Sequence, residues 1–106
     1  MLITFGVAVA YHRAGADASD LLPERFATYD EAYQFSRSYI HECDPTIYVI
    51  YNNEYAFYCS RSACKNEPYR IYHLKSFDGG QIQTSVWWED FVNNPRKYLH
   101  LGQKIA

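Results

Sequence analysis

The stretch TIYVIYNNEYAFYC, Thr46 to Cys59, decides the fold of this chain. Two β-prone runs, Thr46 to Tyr51 and Glu54 to Cys59, flank Asn52-Asn53, and asparagine is among the few residues that tolerate the positive φ of a type I′ turn. A two-residue loop predicts Tyr51 opposite Glu54 and Ile50 opposite Tyr55. One face then carries Tyr48, Ile50, Tyr55, Phe57 and Cys59, and the other carries Ile47, Val49, Tyr51, Ala56 and Tyr58. Neither face is polar, so both sides of this hairpin need cover.

Upstream, Thr28 and Glu31 have the spacing of a capping box, in which the threonine hydroxyl accepts the Glu31 amide and the carboxylate reaches back to the cap's own amide. The spacing predicts one long helix from Tyr29 to about Glu42, ended by Asp44-Pro45, because the residue before proline resists the α region. Ala32, Phe35, Ser36, Tyr39, Ile40 and Cys43 form its apolar stripe. Further upstream, Leu2 to Tyr11 alternates with period 2 and is apolar on both parities, as in a strand buried on both sides. Gly6, Ala8 and Ala10 on one parity leave room for another element to approach. Between strand and helix, His12 to Pro23 reads as an exposed loop.

Downstream, Arg70 to Phe77 and Gln81 to Trp88 form a second hairpin through Asp78-Gly79-Gly80. Its parity puts Ile71, His73, Phe77, Ile82, Val86 and Trp88 on a core side and Tyr72, Leu74, Gln83, Ser85 and Trp87 on the other. Glu89 to Asn93 fits a short helix ended by Pro95. The fold class is therefore α+β: a single domain spanning residues 1 to 106, with a largely antiparallel five-stranded sheet in the chain order β-α-β-β-β-β. One long helix lies on one face and a short helical segment follows at the C-terminus. A single helix covers only part of one face, so either the tail or another protein must cover the rest.

With 106 residues, 48% hydrophobic and 21% charged, the composition is that of an ordinary globular chain. The formal net charge of −2 gives no overall field that would gather nucleic-acid phosphates. The charge is uneven, however: residues 1 to 53 carry −4 and residues 54 to 106 carry +2. The apolar N-terminal run has no basic segment before it and is too short to span a membrane, and three cysteines without framework spacing read as reduced thiols. A cytoplasmic location is the expectation.

No pattern for a cofactor or for catalysis emerges. Cys59-x4-Cys64 is wider than the usual zinc pairs and lacks a second pair, so Cys59, Cys64 and His73 read as separate structural residues. His41 and Cys43, two apart on a helix, point to different sides and make no nucleophile-base pair. Asp30-Glu31 and Glu89-Asp90 stand at helix starts, where negative charge favours the dipole. Asp78-Gly79-Gly80 is no phosphate loop, since a strand follows it rather than a helix.

What stands out is aromatic surface: eleven tyrosines and two tryptophans. Tyrosine, tryptophan and arginine are the types enriched at interface centres, which points to a non-enzymatic module binding a protein partner or a second copy of itself. Tyr58, Arg61, Tyr72, Leu74 and Trp87 are the candidate contact residues. The chain resembles small accessory proteins of phages and mobile elements, inhibitors of host defence among them, in size and tyrosine content only. The alternative is single-stranded nucleic acid stacked on the tyrosines of the 58 to 72 region, beside Arg61, Lys65 and Arg70, although the strand order is not that of an RRM.

Overall fold

A computed structural model describes residues 2–11, 16–39, 45–59, 70–75 and 82–106, with 70–75, 82–85 and 87 described through their backbone. The chain forms strand β1 (Ile3–Ala8), helix α1 (Tyr29–Ser36), strands β2 (Thr46–Tyr51), β3 (Tyr55–Tyr58), β4 (Arg70–Lys75) and β5 (Ile82–Trp87), helix α2 (Trp88–Asn93) and a last short strand β6 (Gln103–Lys104). This is an α+β domain built on an antiparallel sheet. The sheet has four strands in the order β1-β2-β3-β6, and β4-β5 forms a separate two-stranded sheet, in place of the single five-stranded sheet expected.

The register of the β2-β3 hairpin is one residue away from the expected one. Asn52 and Asn53 both take positive φ, 52° and 56°, as the turn chemistry requires, and the Glu54 amide donates to the Tyr51 carbonyl at 2.9 Å. Yet Tyr51 pairs with Tyr55, Ile50 with Ala56 and Val49 with Phe57, leaving Glu54 as an extra loop residue. The cause lies in the neighbouring strands. The Glu54 carbonyl accepts the Ile105 amide at 2.7 Å, and the Asn52 amide donates to the Leu2 carbonyl at 2.8 Å. Asn52 Oδ1 accepts the Leu2 amide in return at 3.0 Å. The turn is thus clamped from both sides, and a slip of one residue moves every β3 side chain to the opposite face.

One face of the sheet therefore carries Phe5, Val7, Val49, Tyr51 and Phe57, packed with Tyr29 and Ala32 of α1 and Phe91 of α2. Phe91 is fully buried and meets Phe57 edge to face at 4.9 Å. Trp88 was expected to continue the strand. Instead it opens α2, half-buried and stacked on Phe5 at 5.8 Å. Gly102 lies so close that a Cβ there would be 2.8 Å from the Phe57 ring.

The other face carries Ala8, Tyr48, Ile50 and Ala56, and it is covered by the chain's own N-terminal connection, through Ala16, Ala18 and Leu21, together with Ile105. This corrects in part the reading of His12 to Pro23 as an exposed loop, for Ala16 and Ala18 are buried while Asp17, Ser19 and Pro23 are exposed, and residues 12–15 lie outside the described residues. The small side chains of β1 make the approach close enough: at Gly6 a Cβ would meet Ile50 Cδ1 at 2.7 Å and Leu21 Cδ2 at 3.2 Å. The connection is held by a full capping box that went unread in the sequence. The Asp17 carboxylate accepts the Ser19 amide at 2.9 Å, and the Asp20 carboxylate accepts the Asp17 amide at 3.0 Å. Residues 20–26 then pair along the outer edge of β1, where the Leu22 amide donates to Val7 at 2.8 Å and Phe5 and Phe26 exchange bonds of 2.8 and 2.9 Å.

Helix α1 begins at the expected cap, with the Glu31 amide donating to Thr28 Oγ1 at 3.2 Å. The Glu31 carboxylate accepts from the Thr28 hydroxyl at 3.0 Å rather than from its amide. The α-helix is shorter than the expected run to Glu42. It ends at Ser36 and tightens into a 3-10 turn over Arg37–Tyr39, where the Ser36 and Ser38 hydroxyls donate to the carbonyls of Tyr33 and Phe35 at 2.7 and 2.8 Å. Residues 40–44, which include Ile40, Cys43 and the expected Asp44-Pro45 stop signal's first half, lie outside the described residues.

Candidate interaction surface

The β4-β5 hairpin is the element that the sequence singled out, and its backbone register is compatible with the face assignment that parity implied. Ile71 pairs with Val86, Tyr72 with Ser85, Leu74 with Gln83 and Arg70 with Trp87. Val86 is buried in the core with Phe5 and Phe91, which anchors its parity inward. Tyr72, Leu74 and Trp87 stand at positions of the opposite parity. β5 runs without a linker into α2, and the ladder of α2 is secured beyond its end: the Asn94 amide donates to the Asp90 carbonyl at 2.9 Å, and Lys97 Nζ lies 3.6 Å from the Asp90 carboxylate. The hairpin is therefore fastened at its C-terminal end by Trp88 and Phe91. Among the described strands, nothing pairs with the outer edge of β4 or of β5.

Of the five candidate contact residues, Tyr58 is the one whose side chain is described. It sits half-buried on the second face of the large sheet, its ring edge-on to Tyr48 at 6.1 Å. Among the described residues the two hairpins are not hydrogen-bonded into one sheet, the condition on which Tyr58 was expected to extend a β4-β5 surface. Arg61 lies outside the described residues, as do the side chains of Tyr72, Leu74 and Trp87, and Lys65 and Tyr69 of the nucleic-acid alternative.

The cysteine reading needs correction. Cys59 is buried and disulfide-bonded, so it is neither the reduced thiol expected nor a free thiolate for zinc. Its pairing partner lies outside the described residues. Three irregularly spaced cysteines give no sign of which two meet, which is why the bond was not legible. Among the described residues no group of three metal-ligating side chains converges, and no helix is long and apolar enough to cross a membrane.

A second feature escaped the sequence altogether. On the face covered by the N-terminal connection, a groove of about 480 Å³ is lined by Ser19, Leu21, Arg25, Asn53, Lys104 and Ile105 among others. It exists because β6 pairs with β3 beside the Asn52-Asn53 turn, a long-range pairing with no local signature. Nearby, Tyr48 donates its hydroxyl to the Ala16 carbonyl at 3.1 Å. Burial, reinforced by the negative charge of Asp17, pushes the Tyr48 phenol well above its ordinary range. Burial also lowers the Arg25 guanidinium, with Glu24 acting in the opposite sense.

No protein-family model, curated protein or solved structure matches this chain.

Proposed function

We propose that this chain is a small non-enzymatic interaction module that engages a protein partner, or a second copy of itself, through the β4-β5 hairpin. The observation that carries the reading is the hairpin's pair of open edges among the described strands. The four-stranded sheet is bridged along β1 and covered on both faces by its own chain, whereas the described strands leave both outer edges of β4-β5 unpaired. Such edges offer rows of N–H and C=O groups to an added strand, and natural proteins seldom leave them open without a use. Tyr72, Leu74 and Trp87 supply side chains of the type found at interface centres, on the parity opposite Val86. An inhibitor or accessory role of the kind found in phages and mobile elements fits a module of this size.

The cytoplasmic expectation rested in part on reduced thiols, and the Cys59 disulfide removes that part of its support; persistent disulfides favour an oxidising compartment.

The test compares Tyr72→Ala/Trp87→Ala with the unchanged protein in sedimentation analysis and in capture from the native host. The expected outcome is a nearly unchanged melting temperature with loss of self-association or of a stoichiometric protein partner, since truncating a hot spot typically costs at least about 2 kcal/mol of binding. Co-purification of salt-sensitive nucleic acid in place of protein would transfer the function to the single-strand alternative. Unfolding of the double variant would put those side chains in the core and sink the reading.

A further inference from the structure

We propose that the groove beside Arg25 and Lys104, which is independent of the hairpin, binds a small phosphate-bearing anion. Arg25 supplies the first cation. Its Nη1 donates to the carbonyls of Leu22 at 2.7 Å and Glu24 at 3.0 Å, so the guanidinium is fixed by its own loop. Its Nε is buried without an acceptor, and Nη2 makes no hydrogen bond to the described residues. Gly6 of β1 leaves the space: a Cβ there would stand 3.3 Å from Nη1. A partly desolvated guanidinium without a carboxylate partner is a standing cost that a bound anion offsets.

Lys104 brings a second cation to the same groove, from the strand that closes it. Among the described residues neither Arg25 nor Lys104 forms an ion pair. No Asp or Glu side chain lines the groove, although Ala106, the last residue, does: Asp17 and Asp20 accept the amides of Ser19 and Asp17, and Glu24 acts on Arg25 from beyond ion-pair distance. Two cations with the Asn53 side-chain amide as a neutral donor suit a phosphate dianion better than a singly charged carboxylate, while the Ser19 hydroxyl and amide stay bonded to the Asp17 carboxylate. The volume is that of a small-molecule site, ordinarily about 300 to 1,000 Å³.

The experiment titrates the full chain with inorganic phosphate at constant ionic strength, balanced by chloride, and follows backbone amide and arginine Nε–H resonances by NMR. Saturable shifts at Ser19, Asn53, Lys104 and the Arg25 side chain are expected, with acetate weaker. Lys104→Gln alters an exposed side chain and is the deciding variant, weakening phosphate about tenfold, the effect of losing one charge-assisted contact. Arg25→Gln should abolish binding, and Arg25→Lys should restore part of it. Glycerol 3-phosphate run in parallel distinguishes an ester from the free ion, and saturable binding of either supports the site. Shifts that never saturate, that chloride reproduces, or that persist unchanged in Lys104→Gln overturn it.

Discussion

The two hairpins of this protein were read by the same rule and came out differently. In β4-β5 the alternation of side chains left two turn registers open that share one face assignment, and the pairing found, Ile71 with Val86 and Tyr72 with Ser85, is compatible with that assignment. In β2-β3 the turn residues took the left-handed backbone expected of them, yet the register moved by one residue. The difference lies in what surrounds each turn. The Asn52 amide donates to the Leu2 carbonyl and the Glu54 carbonyl accepts from the Ile105 amide, residues far away in sequence, and these bonds outweigh the local preference for a two-residue loop. A hairpin at the centre of a sheet takes its register from its neighbours, while one not paired into that sheet keeps the faces of its own pattern.

The widest expected gap between the hairpins is in stability. Phe57→Ala removes a ring that is 1% exposed and packed on Phe91, and should cost about 3 to 5 kcal/mol, seen as a fall in the urea midpoint. Trp87→Ala, on the parity opposite Val86, should leave that midpoint nearly unchanged. Equal losses would erase the distinction and make the second hairpin core on both faces.

The next largest effect belongs to the disulfide at Cys59, which ends the first hairpin. Cys59→Ala, or reduction with dithiothreitol, should lower stability by about 2 to 4 kcal/mol, the usual contribution of a native disulfide. Thermal melts that coincide with and without reductant would show that the bond contributes nothing to the fold.

Much of this was legible and some was not, for physical reasons tied to particular residues. Thr28 marked the start of α1 because a cap is a local signal, but Ser36 and Ser38 ended the α-helix early by bonding back to carbonyls in the preceding turn. Val86 was read as core from alternation over a few residues. The burial of Ala16 and Ala18 was missed because aspartate and serine beside them signal a turn without saying which surface the turn lies on. Arg25 and Lys104 line one groove only because β6 pairs with β3, and two residues of strand leave no periodicity to read.

A smaller effect tests the clamp on the first turn directly. Asn52→Ala keeps the backbone amide but deletes the Oδ1 that accepts the Leu2 amide, and it places alanine at a φ of 52°. The expected cost is about 1 to 2 kcal/mol, the left-handed penalty for an ordinary residue being of that order. Cross-strand contacts between Tyr51 and Tyr55 should survive, because Ile105 still holds Glu54. If NMR instead finds Tyr51 opposite Glu54, Asn52 alone sets the register, and the contrast between the hairpins reduces to turn chemistry.

The smallest effect at neutral pH concerns Tyr48, which ties the second face of the first hairpin to the N-terminal connection through its bond to the Ala16 carbonyl. Tyr48→Phe should cost about 1 kcal/mol there, the net worth of one hydrogen bond. The pH dependence is more telling. An unfolded tyrosine loses its proton near pH 10, whereas folded Tyr48 holds its proton to higher pH, through burial first and the charge of Asp17 second. Below that pH both states are protonated and Tyr48 adds no slope. Above it the unfolded state binds fewer protons, so stability falls as pH rises until the folded phenol also ionises. Denaturation of the two proteins between about pH 8 and pH 11 should therefore show a shallower alkaline decline in Tyr48→Phe. Parallel declines would mean that the Tyr48 hydroxyl reaches water in solution, and that the N-terminal connection does not seal this face as Ala16 and Ala18 imply.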